Sequence, residues 1–246
     1  MLAVFTDLHA NREATEACLR HAREHGALRY AFLGDLVGYG VDPSWVVNEV
    51  RGSVANGAIA VRGNHDAAVA DGRHSTMRRE ANFVVNWTRR RLDADQIEFL
   101  ENLPLSIEVD GVLFVHANAW DPGAWAYIHG PAEATRSLSA TQCSVTFCGH
   151  THTPALYHAR PGSSAQLFTP VSGVQIPLST ARQWLVVCGS VGQPRDLNPA
   201  ACYTMYDASR RQICFYRVPY DYELVASKLN AEGMPRALVE RLVEGS

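Results

Sequence analysis

The sequence predicts an α/β fold, and three observations carry that prediction. Five short apolar runs, at residues 2–5, 30–33, 58–61, 112–115 and 145–148, have the length and continuity of strands buried on both faces. Each run leads at once into a polar segment rich in Asp, His, Asn and Gly. Between the first two runs the apolar spacing switches to that of a helix, giving strand, helix, strand.

Taken in order, Leu2-Ala3-Val4-Phe5 reads as the first strand. Asn11 caps a helix over Arg12 to His25, with Ala14, Ala17, Cys18 and Ala22 on its inner face and Gly26 just past its end. Tyr30 to Leu33 is the second strand. Asp42-Pro43 opens a helix through Val50, because proline fits the first helical position and the aspartate can accept backbone donors there; Val46 and Val50 face inward. Ala58 to Val61 is the third strand. From about Arg78 to Leu103 the pattern is helical for longer, with Phe83, Val84, Trp87, Leu92, Ile97, Phe99 and Leu100 as burial candidates and Asp93 as a second cap. Within this insert Arg89-Arg90-Arg91 reads as a solvated face. The insert itself either covers one side of a cleft or is a structural layer.

Ser106 to Val109 and Val112 to Val115 flank Asp110-Gly111, the two-residue signal of a hairpin with a primed turn. Val145 to Cys148 is a further strand. Beyond it, apolar or alternating stretches near Leu156, Leu167, Val174, Gln183 to Val187, Tyr203 to Tyr206 and Ile213 to Val218 predict an antiparallel second sheet. Helices return at Tyr222 to Leu229 and Pro235 to Val243. With 246 residues, 47% of them apolar, one domain spanning 1–246 is the expectation.

The polar segments carry the chemistry. Asp7 and His9 stand two apart after the first strand, so one cation can take both. Asp35 follows the second, where a carboxylate with two oxygens can reach two cations. Arg62-Gly63-Asn64-His65-Asp66 follows the third and supplies a neutral amide ligand in Asn64, with His65 beside it free for acid–base work. His116 and then Gly149-His150-Thr151-His152 complete the series. A lone histidine is ordinarily a satisfied core or surface residue, but five matching strand ends make coincidence a poor account. Imidazole, carboxylate and amide without thiolate suit Mn²⁺, Fe²⁺, Zn²⁺, Ni²⁺ or Co²⁺.

The order Asp-x-His, Gly-Asp, Gly-Asn-His-Asp, His, Gly-His-x-His resembles that of the calcineurin-like metallophosphoesterase superfamily. The segment 189–196 and the ending from Tyr220 look like its small bacterial members, so the likeness covers nearly the whole chain. The resemblance implies a four-layer α-β-β-α sandwich, two mixed sheets flanked by helices. It implies two divalent transition-metal ions, manganese foremost, one held by Asp7, His9, Asp35 and His152 and the other by Asp35, Asn64, His116 and His150. A hydroxide bridging them would attack phosphorus, and His65 would protonate the departing oxygen. Substrate contacts fall to Asn64, to Arg62, whose fork suits phosphoryl oxygens unless it is a surface salt bridge, and to Arg195, if it faces the cleft. Asp66 either orients His65 or caps a turn. Trp125 and Tyr127, after Asn118, either stack on a ligand or pack.

In the superfamily's protein serine/threonine phosphatases the bridging aspartate is followed by Tyr-Val-Asp-Arg-Gly. Here Leu36-Val37-Gly38-Tyr39-Gly40 lacks both charged groups, which favours a small phosphorylated substrate, a phosphodiester or nucleotide-like phosphate. A net charge of −3 argues against a nucleic-acid scaffold; the 22 basic residues include one lysine, Lys228, and otherwise only arginine. A DNA nuclease is the weaker alternative, because the sequence shows no basic groove or added nucleic-acid domain, and a non-catalytic interaction module conflicts with the complete ligand set. The six cysteines lie mostly in or beside apolar runs without a Cys-x-x-Cys pair, as reduced core residues do. No run approaches the roughly 20 apolar residues that span a bilayer, and Asp7 comes too early for a cleavable leader. A cytoplasmic protein is the expectation, its oligomeric state open.

Overall fold

The computed structural model describes residues 1–72 and 79–246. Its elements run β1 (Leu2–Phe5), α1 (Arg12–Glu24), β2 (Arg29–Phe32), α2 (Pro43–Ala55), β3 (Ile59–Ala60), α3 (Asn64–Asp71), α4 (Arg79–Arg89), α5 (Ala94–Asn102), β4 (Ser106–Val109) and β5 (Val112–Val115). They continue with α6 (Pro131–Ser139), β6 (Val145–Cys148), β7 (Ala155–Ala159), β8 (Gln166–Phe168), β9 (Gln175–Pro177), β10 (Gln183–Val187), β11 (Ala201–Asp207), β12 (Gln212–Val218), α7 (Tyr222–Ala231) and α8 (Arg236–Glu244). Among the described residues two six-stranded sheets form, ordered β3-β2-β1-β11-β12-β9 and β4-β5-β6-β10-β7-β8. Both are mixed: β1, β2 and β3 run parallel, as do β5, β6 and β10, while the remaining pairings are antiparallel.

The inner runs are apolar throughout because each buries both faces. In β1 the alternate residues Leu2 and Val4 pack toward the other sheet with Phe114, Phe147 and Val186, whereas Ala3 and Phe5 pack outward with Ala14 and Cys18 of α1 and Val46 and Val50 of α2. The second sheet's outer face, with Leu185, Val187 and Tyr157, is covered by Ala134 and Leu138 of α6. Helix, sheet, sheet, helix is thus the layering, the four-layer sandwich expected from the sequence. A separate apolar cluster joins Val84 and Trp87 of α4 to Val225 and Leu229 of α7 and Leu238 and Leu242 of α8.

Several local expectations are met for the reasons given. The Asn11 side chain accepts from Ala14 N at 3.1 Å, and that of Asp93 from Gln96 N at 2.8 Å, capping α1 and α5. Asp110 and Gly111 both take positive φ, as a primed turn requires.

Others need correction. The strands after His152 do not make a sheet of their own: β9, β11 and β12 extend the first sheet and β7, β8 and β10 the second, with β10 parallel to β6. Alternation along a strand shows which residues share a face but not which neighbour the strand joins. Asp42 makes no capping bond; its carboxylate goes to Lys228, which also meets Glu13 at 2.9 Å and so ties α7 to α1 and α2. Phe83 is 42% exposed. Arg89 is half-buried, not a solvated residue, and donates to the carbonyls of Val69 and Ala70, while Arg91 lies over Trp87 and pairs with Glu232. Arg78, where the insert is expected to begin, lies outside the described residues.

Candidate metal centre

Parallel strands of both sheets end at one edge, and the loops that follow β1, β2, β3, β5, β6 and β10 meet there, where open α/β sheets place their ligands. The backbone is strained to make them meet: Asp7, His9, Asp35, His150 and His152 all have φ between 49° and 67°, which non-glycine residues adopt at a cost. Gly63 and Gly149 permit close approaches. A Cβ on Gly63 would overlap the carboxylate and backbone nitrogen of Asp35, and one on Gly149 would overlap Thr6 and the Asp7 carboxylate.

Four imidazoles enter this space, each with one ring nitrogen on a backbone carbonyl. His9 Nδ1 meets Val37 O at 3.1 Å, His152 Nδ1 meets Gln193 O at 2.5 Å, His116 Nδ1 meets Leu33 O at 2.7 Å and His150 Nε2 meets Trp125 O at 2.9 Å. A carbonyl only accepts, so each of these nitrogens carries a proton, and the opposite one presents a lone pair whenever the ring is neutral. Those lone pairs face one another: His9 Nε2 and His152 Nε2 are 3.1 Å apart, and so are His116 Nε2 and His150 Nδ1. Asn64 Oδ1 is a further acceptor 3.1 Å from His116 Nε2. Such facing pairs are compatible only with positive charge between them, and a ring fixed by a backbone carbonyl is the usual arrangement of a metal-ligating histidine.

The carboxylates fit the same reading. Asp7 Oδ2 accepts from Thr6 Oγ1 at 2.7 Å and from His150 N at 2.9 Å, while its buried Oδ1 has no hydrogen-bond partner and lies 3.2 Å from His152 Nε2 and 3.7 Å from His9 Nε2. Asp35 Oδ1 accepts from His65 N at 2.8 Å, leaving Oδ2 between the two halves, 3.8 Å from His9 Nε2 and 3.5 Å from His116 Nε2. The ligand atoms group as Asp7, His9 and His152 on one side and Asp35, His116 and His150 on the other. His65 also comes within reach of His9 and Asp35. This donor set of imidazole nitrogens and carboxylate oxygens fits divalent cations.

Charge within the cluster follows from burial and proximity. Burial opposes the charge on His116, but Asp35 beside it raises its pKa to about 9. Burial and the neighbouring His116 push His150 down to about 3. Burial and His152 depress His9, and burial is also the main cause of the lowered pKa of His65. For Asp7 burial works the other way, yet His152 holds its carboxyl well below the usual range.

His65 sits edge-on to His9 with ring centres 5.1 Å apart, and its buried Nδ1 has no partner. Asp66 does not orient it. Its carboxylate takes the backbone N–H groups of Gly63, Leu36 and Val37, binding the loop after β2 to the start of α3, while burial and Asp35 raise its pKa to about 7. Arg62 Nη1 donates to Glu101 O at 3.0 Å, which engages its guanidinium with the end of α5. Arg195 is brought to the centre: its backbone N–H donates to His152 O at 3.2 Å and its Nη2 to Gln193 Oε1 at 2.9 Å. Asn118 holds the loop that follows β5 through Ala126 O and Asp121 N, which places Trp125 O on His150. Tyr127, 42% exposed, stacks on His150 at 4.0 Å.

Sequence reasoning missed Thr6, Gln193 and Tyr39. The first two act through a hydroxyl and a backbone carbonyl on ligands that other segments supply. For Tyr39 the signal was its place in the loop of Asp35.

Comparison with known proteins agrees with this geometry. The calcineurin-like phosphoesterase superfamily domain matches residues 1–211. An uncharacterized protein of Methanocaldococcus jannaschii is 32% identical over all of this chain and 98% of its own length. The crystal structure of a metallophosphoesterase from Sphaerobacter thermophilus superposes with a TM-score of 0.87 at 32% identity, covering 100% of this chain and 99% of that one. A hypothetical protein of Pyrococcus horikoshii shares the fold, with a TM-score of 0.79 at 18% identity over 100% of this chain and 99% of its own. Among the described residues no helix is long and apolar enough to cross a membrane.

Proposed function

This chain belongs to the calcineurin-like phosphoesterase superfamily, and we propose that it is a dinuclear metal-dependent phosphoesterase acting on small phosphodiesters or nucleotide-like phosphates. The observation that carries the reading is the set of lone pairs turned inward by four carbonyl-tethered imidazoles, with the unpartnered Asp7 Oδ1 and with Asp35 Oδ2 between the two halves. Asp7, His9, Asp35 and His152 would hold one divalent cation and Asp35, Asn64, His116 and His150 the other. A cation pair bound there would supply the nucleophile, by bringing the pKa of a bound water from about 15.7 towards 7, and draw charge from the phosphoryl oxygens. These donors suit manganese, iron, zinc, nickel or cobalt, and the family resemblance makes manganese the first choice.

The chain's own residues do the rest. His65 protonates the departing oxygen, and a step of this kind contributes roughly 10² to 10⁴ in rate. Asp35 holds His65 in place through the backbone bond at 2.8 Å. Asn64 and Arg195 contact the substrate, whereas Arg62 braces the insert through Glu101. The lack of both charged groups in Leu36-Val37-Gly38-Tyr39-Gly40 favours a small substrate. Protein loaded with Mn²⁺ is expected to cleave a chromogenic phosphodiester, and Asp35→Asn or His65→Ala to abolish most turnover. Activity indifferent to both changes would overturn the assignment.

A further inference from the structure

The turn Gly38-Tyr39-Gly40 places an aromatic residue in a conformation it does not favour. Tyr39 has φ 61°, the left-handed region that a bulky side chain enters at a cost. That backbone brings its ring to 4.5 Å from His9 on one side and 4.5 Å from His65 on the other. Its hydroxyl is 3.4 Å from Arg195 Nη2, and the guanidinium carbon stands 5.7 Å from the ring centre.

Arg195 arrives from the opposite sheet, in the loop after β10, and that loop also fixes His152 through Gln193 O. Gln193 Oε1 orients one arm of the guanidinium, the hydrogen bond to Tyr39 is long, and the buried Nε has no partner. Among the described residues no carboxylate pairs with Arg195. A half-buried guanidinium with spare donors and no counter-charge is available to an anion, and its planar fork suits phosphoryl oxygens.

We propose that Tyr39 and Arg195 form one phosphoryl-oxygen subsite on the His65 side of the centre, the phenol hydroxyl and the guanidinium N–H groups together holding the non-bridging oxygens of the phosphoryl group under attack. The inference rests on the phosphoesterase reading and deepens it. It gives this chain, which lacks the arginine that follows the bridging aspartate in the protein phosphatases, an anion clamp drawn from two distant loops. The strain at Tyr39 is the means by which a residue of the Asp35 loop reaches both His65 and Arg195.

The test compares the unaltered protein with Tyr39→Phe, Arg195→Lys and the double variant, each loaded with Mn²⁺ and checked for cation content. Phenylalanine keeps the ring between His9 and His65 and removes only the hydroxyl; lysine keeps the charge and removes the fork. Calorimetric titration with inorganic phosphate is expected to show affinity about 10- to 100-fold weaker for each single variant, as loss of a hydrogen bond to a charged group implies. The value of kcat/KM on a chromogenic phosphodiester should fall by a similar factor. The double variant should lose less than the product of the two, because the groups act as a unit.

Phosphate binding and kcat/KM unchanged in both single variants would overturn the subsite. So would a Tyr39→Phe variant that binds phosphate normally but loses the alkaline limb of its pH profile, which would make Tyr39 a proton donor. If the unaltered protein hydrolyses no phosphoester, the proposed function falls, and the phosphate titration still decides whether the subsite exists.

Discussion

Thr6→Val tests how far the centre depends on a group that need not touch a cation. Thr6 Oγ1 donates to Asp7 Oδ2 at 2.7 Å, and the other donor to that oxygen is His150 N at 2.9 Å. Together they turn Oδ1 toward His9 and His152. Valine keeps the shape of the buried side chain and removes one of the two donors, a hydrogen bond to a charged group worth roughly 1.5–3 kcal/mol. Spent on holding a ligand in place, that corresponds to roughly 10- to 100-fold in metal affinity, the range typical of groups that orient ligands. The loss should fall on the cation taken by Asp7, His9 and His152. A calorimetric titration with Mn²⁺, cross-checked by chelator competition, should therefore separate into one tight and one weakened event. A folded variant that binds both cations as tightly as the parent would refute the reasoning.

Gly63→Ala forces a Cβ into Asp35 and is expected to cost about 2–3 kcal/mol, lowering the thermal midpoint by roughly 4–12 °C and cutting metal uptake; calorimetric melting and metal analysis check both. Asp93→Ala removes the cap of α5, so it should lower stability by about 1 kcal/mol while metal content stays unchanged, measured by denaturant titration. In metal-free protein, His116 has its pKa raised from 6.5 to about 9 because Asp35 outweighs burial. The stability this pair contributes is therefore complete below about pH 6.5 and lost as pH rises through about 9. Cation binding must displace that proton, so loading near pH 7.5 should release it and loading above about 9 should not, as titrations in buffers of different ionisation enthalpy would show.

What could be read from residues alone was whatever is local. The Asn11 and Asp93 caps, the Asp110-Gly111 turn and the continuous apolar runs each depend on neighbours a few positions away, and the structure shows all of them. The candidate ligand residues were readable for a related reason: Asp7, Asp35, Asn64, His116, His150 and His152 each follow a run that reads as a buried strand. What escaped depends on distant pairing. The strands after His152 distribute between two sheets through hydrogen bonds to β1, β6 and β12, which no periodicity encodes. The carbonyls of Leu33, Val37, Trp125 and Gln193 fix the four imidazoles, and a carbonyl has no sequence signature. Asp42 looked like a cap, but Lys228, 186 positions away, takes its carboxylate. Tyr39 seemed only to mark missing charges until folding set it against His65 and Arg195.

The central claim is that Asp35 joins two cation sites, and anomalous diffraction from crystals grown with Mn²⁺ tests it most directly. Two anomalous peaks are predicted, roughly 3.5–4 Å apart. One should touch Asp7, His9 and His152, the other Asn64, His116 and His150, with an Asp35 oxygen on both. A single peak, or two peaks neither of which Asp35 reaches, would contradict the account.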